Sequence, residues 1–385
     1  GGPNADYRDT MEANRYSTFA AGRSGQPPVI YAGANDGMLH AFNASTGDEV
    51  FAYVPSAAAT RLSALTDPTY SHRYTVDGSP AAADAFYGGA WHTLLVSGMG
   101  AGAKGLFALD VSDPDHLTEA DAASVVRWEI GGGDADVGHI LAQPVVAKLK
   151  NGRWVAIVGN GYNSSNARAV LLLVDLETGA ITRIDTLSGS AGAPNGLSAV
   201  VAVSSSNNGV ADTVYAGDLA GQVWKFDLSS ATAAGWGVAY GSAASPQPLF
   251  TAAAGQAITA RLDVTAHPQG GWMLVFGSGR YLDVADTAAG SSQALYGIWD
   301  NGSVVPTGSL VDQSVLGQAT ADGRTWRFTS HVVGAPSQTS YTGDSALTRA
   351  SYLATKRGWK LTLPSSGERI VAQASIRYGK AIVST

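Results

Sequence analysis

Residues 29–49 read "VIYAGANDGMLHAFNASTGDE". Two apolar runs flank Asn35-Asp36-Gly37, and a second polar turn, Ser45-Thr46-Gly47-Asp48, follows. In "MLHAF" every second residue is apolar, the period of a half-buried strand, and Asp-Gly between such runs marks a tight hairpin. The same unit recurs as "TLLVSGMGAGAKGLFALDVS" (93–112), "VAIVGNGYNSSNARAVLLLVDLETG" (155–179) and "TVYAGDLAGQVWKFDLSS" (213–230). A looser version is "MLVFGSGRYLDVADTAAGSSQALYGIWDNG" (273–302). A short strand precedes most copies: "GSPAAADAF" (78–86), "AQPVVAKLK" (142–150), "LSAVVAVSS" (197–205) and "ITARLDVTA" (258–266).

Repeated groups of about four strands predict an all-β propeller, in which each blade buries its faces against its neighbours. Five clear units plus the stretch 303–370 fit six or seven blades, of which seven is the expectation, and a large β-sandwich is the alternative. The last strand, in "SIRYGKAIVST" (375–385), is expected to pair with strands near residue 29 and close the ring. Residues 1–27 are set apart as a lead-in segment and 28–385 as the propeller. Helical patterning is confined to minor insertions at 7–19 and 59–67.

The bulk composition agrees. Of 385 residues, 45% are hydrophobic and 14% charged, which favours a large core over disorder. The 47 glycines lie between apolar runs, where they mark turns. A net charge of −7 with no Lys/Arg cluster argues against nucleic acid and anionic membrane surfaces. No apolar run reaches the ~18–20 residues that span a bilayer. The absence of cysteine removes disulfides, Cys-zinc sites and thiol nucleophiles. "GGPNADYRDT" has no signal-peptide pattern, so the chain is expected to begin within a longer protein.

The blocks "VIYAGANDGMLHAFNASTGDE" with "LTDPTYSHRYTVDGSPAAADAF" (65–86), "GMGAGAKGLFALDVSDP" (98–114), "GNGYNSSNARAVLLLVDLETG" (159–179), "YAGDLAGQVWKFDLS" (215–229) and "FGSGRYLDVAD" (276–286) with "LYGIWDNG" (295–302) resemble, in order, the C-terminal domain of the PilC/PilY family. These are type IV pilus-associated assembly factors and tip adhesins. The resemblance covers nearly the whole chain. It implies a modified seven-bladed quinoprotein-like β-propeller and a role in pilus extension, surface attachment and twitching motility. It also implies an extracytoplasmic location, at a pilus tip, outer-membrane surface or periplasm, with pilus components such as minor pilins, and host or abiotic surfaces, as partners.

Members of this family often place an EF-hand-like calcium loop before the "YAGDL" strand. The aligned stretch here is "SSSNNGVAD", with Ser204, Ser206, Asn208, Gly209 and Asp212 at the ligand and turn positions. One carboxylate neutralises little of a divalent ion, so a loop held by side-chain-to-backbone bonds is favoured over a weak calcium site, and no cofactor is expected. Asp110 with Asp113, Asp134 with Asp136, and the acids of "YLDVAD" (281–286) read as turn caps before cation ligands.

Quinoprotein dehydrogenases share the propeller, and "NASTGDEVFAY" (43–53) resembles their tryptophan-docking turn, which seals neighbouring blades. Nothing in the sequence gathers Arg, Asn and Glu to hold a tricarboxylate quinone. A quinone-dependent periplasmic dehydrogenase is therefore the runner-up, and a generic outer-membrane assembly scaffold the third reading. No zinc pattern links the seven histidines; His40 and His72 are expected to serve loop backbone. The glycines of "GMGAGAKG" read as a hairpin turn, because no helix pattern follows them. Trp236 and Tyr341 stand in polar, small-residue loops and are the partner-binding candidates.

Overall fold

The computed structural model describes residues 2–3, 7–288, 290–321, 323–330, 340–341, 344–348, 354–377 and 380–385. They form two compact units, Gly1–Ala216 with Lys225–Pro246, and Gly217–Trp224 with Gln247–Thr385. The class is all-β, with short helical turns between strands.

Each quoted repeat folds as the antiparallel hairpin its turn chemistry dictates. The first sheet joins Val29–Gly33, Leu39–Asn43 and Glu49–Tyr53. The second runs Ala81–Tyr87, Ala90–Gly98, Gly105–Asp110 and Val126–Gly131 in sequence order. The third is a meander of Val145–Leu149, Trp154–Gly159, Val170–Asp175 and Ile181–Asp185, with Val210–Ala211 alongside its first strand in parallel. The fourth orders Leu197–Val203, Thr213–Asp218, Gln222–Asp227 and Gly237–Val238. In the second unit, Asp263–Ala266, Trp272–Gly277 and Ala294–Asp300 are followed by Gly358–Thr362 and, parallel to it, Val311–Gln313.

One device explains the recurring "apolar-small-Gly" ending. Gly33, Gly98, Gly159 and Gly277 each end a strand and Gly217 stands one residue before the end of one, and each meets an incoming segment too closely to carry a side chain. A Cβ would lie 2.6 Å from Val76 O, 2.5 Å from Ile140 O, 2.1 Å from Ser198 O, 2.3 Å from Ile258 Cγ2 and 2.2 Å from Ile370 Cβ respectively. Real Cβ contacts are never that short, so glycine is required by the close approach of a carbonyl at Gly33, Gly98 and Gly159 and of an isoleucine side chain at Gly217 and Gly277. In three copies the next residue is polar and fully buried: Asn160, Asp218 and Ser278. Each side chain accepts a backbone N–H of the following strand: Val170 N at 3.0 Å, Gln222 N at 2.8 Å and Ala294 N at 2.8 Å. A buried polar side chain is tolerated because it is hydrogen-bonded in this way.

The core of the first unit gathers Leu94, Val96, Ala156, Val158 and Leu172 from the second and third sheets. The lead-in segment packs on it. Trp91 meets Tyr16 at 4.9 Å, Tyr7 at 5.7 Å and Trp154 at 5.7 Å between ring centroids. Glu12 accepts from Lys148 Nζ and from Trp154 Nε1, the latter at 3.0 Å. The helix expected within 7–19 spans Tyr16–Gly22, and 59–67 holds the 3-10 turn Leu62–Thr66 after the short helix Ser56–Ala59.

Two expectations are revised. The strand Ser375–Arg377, expected to pair near residue 29, instead forms a hairpin with Lys380–Ile382, while Val29–Gly33 pairs with Leu39–Asn43. No ladder between the two chain ends is present among the described residues. Tryptophan docking is also displaced. At 43–47 the added Cβ of Gly47 would meet open space, whereas at "DLETG" Gly179 lies under Trp128, whose ring atom Cγ would be 2.8 Å from a Cβ. Trp128 Nε1 donates to Leu176 O at 3.2 Å, tying the second sheet to the third.

Candidate functional site

The calcium-like loop is the first place to look for a site, and its geometry is closed. Leu197–Val203 ends at Ser204, the chain turns through Asn207 (φ 48) and Gly209 (φ 77), and Val210–Ala211 leads to Asp212. Asp212 is 8% exposed. Its carboxylate accepts from Ser205 N at 3.0 Å, Ser205 Oγ at 2.7 Å and Thr213 Oγ1 at 3.1 Å. Ser204 Oγ donates to Asn208 Oδ1 at 3.1 Å and accepts from Asn208 N at 3.2 Å. Asn208 Oδ1 also accepts from Val210 N at 3.0 Å. Ser206 is exposed. The ligand oxygens are thus turned onto the loop's own N–H and O–H groups, which is the geometry of an Asx/ST turn. Gly209 has a second constraint, since a Cβ there would lie 2.6 Å from Tyr7 Cα of the lead-in segment.

The other acidic pairs are likewise held. Asp113 accepts from Asp115 N at 3.1 Å as an N-cap. Asp110 takes His92 Nδ1 at 2.8 Å; burial pushes its carboxyl up, but the bonds from His92 and Ser112 outweigh that and hold it at about 2. Asp134 and Asp136 share Arg183, with Nε 3.1 Å from Asp136, and Asn166 Nδ2 donates to Asp136 at 2.7 Å. His40 stands between two carboxylates, Glu49 at 2.6 Å and Asp36 at 2.8 Å, and these, Glu49 foremost, raise its pKa. His72 packs edge-on against Tyr74. The glycines of 98–105 form the hairpin turn expected of them, closed by Met99 N donating to Gly105 O at 3.0 Å.

Of the partner candidates, Trp236 is half-buried and donates its indole N–H to Ser230 O at 2.9 Å, folding the loop over itself. Tyr341 belongs to the strand Ser340–Tyr341, and its side chain lies outside the described residues.

A different cluster, which sequence reasoning missed, lines a cavity of about 240 Å³ in the second unit. Leu219, Arg280, Asp286, Gln293, Glu368 and Arg369 reach it. The strand Trp272–Gly277 and its corner deliver Arg280. The 3-10 turn Val284–Ala288 delivers Asp286, and Gln293 immediately precedes Ala294–Asp300. Asp286 is 3% exposed, and Arg280 Nε and Nη2 both stand 2.7 Å from its Oδ1. Its Oδ2 accepts from Leu282 N at 2.8 Å and Asp283 N at 3.1 Å. Burial works to raise this carboxyl, but those bonds and Arg280 hold it below the usual range. Glu368 behaves alike: burial opposes, while Arg327 Nη1 at 2.5 Å and Ser365 N at 3.2 Å keep it charged. The buried acid of "YLDVAD", Asp286, caps its own turn through Leu282 N and Asp283 N and also takes the Arg280 guanidinium.

Comparison with known proteins completes the description. The PilY1 beta-propeller domain family matches residues 6–322. The type IV pilus biogenesis factor PilY1 of Pseudomonas aeruginosa strain PAO1 is 44% identical over 315 residues, covering 75% of this chain and 26% of that protein. A PilY1 homolog of Xylella fastidiosa strain Temecula1 is 37% identical over 397 aligned positions, covering 97% of this chain and 26% of the relative. The chain therefore spans about a quarter of the length of these curated relatives. The crystal structure of the Pseudomonas aeruginosa PilY1 C-terminal domain superposes with a TM-score of 0.75 at 37% identity, over 94% of this chain and 76% of that one.

Proposed function

We propose, on the premise that this chain belongs to the PilY1 β-propeller domain family, that it is the propeller portion of a type IV pilus biogenesis factor acting without catalysis. The observation that carries the reading is 44% identity sustained over 315 residues with a protein named for that role. In this reading a seven-bladed ring over 28–385, secured by the lead-in 1–27, presents rigidly mounted loops to pilus components, minor pilins among them, and to surfaces the cell meets. It works outside the cytoplasm, at the pilus tip, the outer-membrane surface or in the periplasm. Among the described residues no helix is long and apolar enough to cross a membrane.

The acids and histidines that could have done chemistry support a structural role, since Asp110, Asp134, Asp136, Asp212 and His40 are each tied to neighbours. A calcium-independent loop at 204–212 and no resident cofactor belong to the same reading.

The test is a pull-down of this chain against minor pilins, paired with deletion of the domain and a twitching assay. Selective capture with lost motility is the expected result. Intact motility after deletion would move the reading to a general outer-membrane scaffold. A new visible absorbance band on adding pyrroloquinoline quinone with calcium would move it to a dehydrogenase.

A further inference from the structure

The lead-in segment and the loop 204–212 meet along one short seam of the first unit. Val210–Ala211 is a strand of two residues, paired in parallel with Val145–Leu149 through Val210 against Lys148 and Ala211 against Leu149. In the next ladder Lys148 stands opposite Trp154. Val210, Lys148 and Trp154 therefore form one row across three strands.

The lead-in clamps that row at both ends. Glu12 accepts from Lys148 Nζ and, at 3.0 Å, from Trp154 Nε1. The Tyr7 ring packs on Trp154 with 5.8 Å between centroids. The backbone of the same tyrosine lies on Gly209, the residue before Val210, where a Cβ would stand 2.6 Å from Tyr7 Cα and 2.8 Å from Tyr7 N. Beyond the clamp the lead-in is moored to the second sheet. Asn14 Nδ2 donates to Gly89 O at 2.8 Å, Trp91 Nε1 donates to Asn14 O at 2.8 Å, and the Tyr16 hydroxyl donates to Asp84 at 2.8 Å.

Each side of the seam depends on the other. Two ladder positions give a parallel strand little hold of its own. Lys148 is 8% exposed, and among the described residues Glu12 is the one partner of its ammonium. Lifting the lead-in strands that buried charge in the middle of the row, and the water it then needs enters beside Val210. In the other direction, Gly209 is buried at φ 77, so a change in the loop's turn moves the backbone on which Tyr7 rests. The loop's single carboxylate is spent on Ser205 and Thr213. It has too few charges to be drawn together by a divalent cation.

We infer that the lead-in and the loop 204–212 are two halves of one latch, each keeping its conformation only while the other is in place. The lead-in supplies from the side the restraint that a bound cation gives a carboxylate-rich loop from within. Ser205, Ser206 and Asn207 are exposed and form the latch's outward tip. By linkage, a molecule that binds the tip better in one state of the latch shifts the docking of the lead-in by the same free energy.

The test is hydrogen exchange of the whole chain, read by mass spectrometry. The loop reports through Asn207 N and Asp212 N, bonded to Ser204 O and Val203 O, and the lead-in through Phe19 N and Arg23 N, bonded to Arg15 O and Ala20 O. The strands Leu39–Asn43 and Glu49–Tyr53 serve as the reference. Gly209→Ala, which places a methyl group against Tyr7, is expected to speed exchange over 7–22 at least tenfold. Tyr7→Ala is expected to speed exchange over 205–212 at least tenfold, with the reference unchanged in both variants. A rise confined to the mutated segment overturns the latch, because the two then move independently. An equal rise in the reference overturns it as well, because the unit then opens as a whole. Should Gly209→Ala fail to fold, Tyr7→Ala decides, together with Glu12→Gln, which keeps an acceptor for Trp154 but removes the charge opposite Lys148 and is expected to act in the same direction by about threefold. None of these readouts involves motility or pilins, so failure here leaves the pilus reading standing, and the reverse holds too.

Discussion

Two polar clusters in this protein have similar ingredients and opposite outcomes. At 204–212, Ser, Asn and Asp side chains turn inward and satisfy one another, leaving Asp212 with three donors of its own loop. At 280–293 the carboxylate is equally well held, yet the buried amide oxygen of Gln293 has no hydrogen-bond partner. The number of polar residues does not separate these clusters. What separates them is whether donors and acceptors come out even.

The comparison can be broken most severely where closure is deepest. Glu12 and Lys148 are about nine-tenths buried, and Glu12→Ala would leave the ammonium facing only the indole it now competes with. The expected loss is about 3–5 kcal/mol, read as a shift of the urea midpoint; an unchanged midpoint would mean that this lead-in contact is dispensable. Asp212→Ala removes the acceptor of three donors and should cost about 1–3 kcal/mol by the same measurement. Calcium should not raise the melting temperature of either form. Micromolar calcium binding that disappears with Asp212→Ala would show that the loop opens, erasing the contrast.

Smaller effects sharpen it. Asp110 has its pKa depressed to about 2, so its contribution is present above the unfolded carboxyl range near ~4 and is lost as pH falls from there toward 2. Asp110→Asn should flatten the stability profile in that window. His40 has the opposite sign: with a raised pKa, its contribution is complete below ~6.5 and fades as pH rises through the folded value. His40→Gln should remove that alkaline decline. Smallest of all, Val284→Asp on the open cluster's rim should move stability by less than about 0.5 kcal/mol, because an 84% exposed side chain packs against little.

Much of the fold was legible because its signals are local. Asn35-Asp36-Gly37, the alternation in "MLHAF", and the repeated strand-ending glycines each constrain their own few residues, and the strands follow. Closure of Asp212's loop was legible for the same reason, since Ser and Asn beside a single Asp favour hydrogen bonds to their own turn. The pairing of the chain ends was misread because an apolar strand does not announce its partner, and Ser375–Arg377 found one three residues on. The cavity could not be read at all. Leu219, Arg280, Gln293 and Arg369 are far apart in sequence, and the decisive fact, which atom of an amide lacks a partner, exists only in three dimensions.

The closing glycines have one more implication. Gly33 to Val76, Gly98 to Ile140, Gly159 to Ser198 and Gly217 to Ile258 are steps of 43, 42, 39 and 41 positions, whereas Gly277 to Ile370 is a step of 93. The same contact survives more than double the intervening chain. An architecture whose joints are fixed where a glycine admits a close neighbour leaves the length between them open to change, so the stretch following Asp300 is where a reporter or epitope could be spliced in with the joints intact.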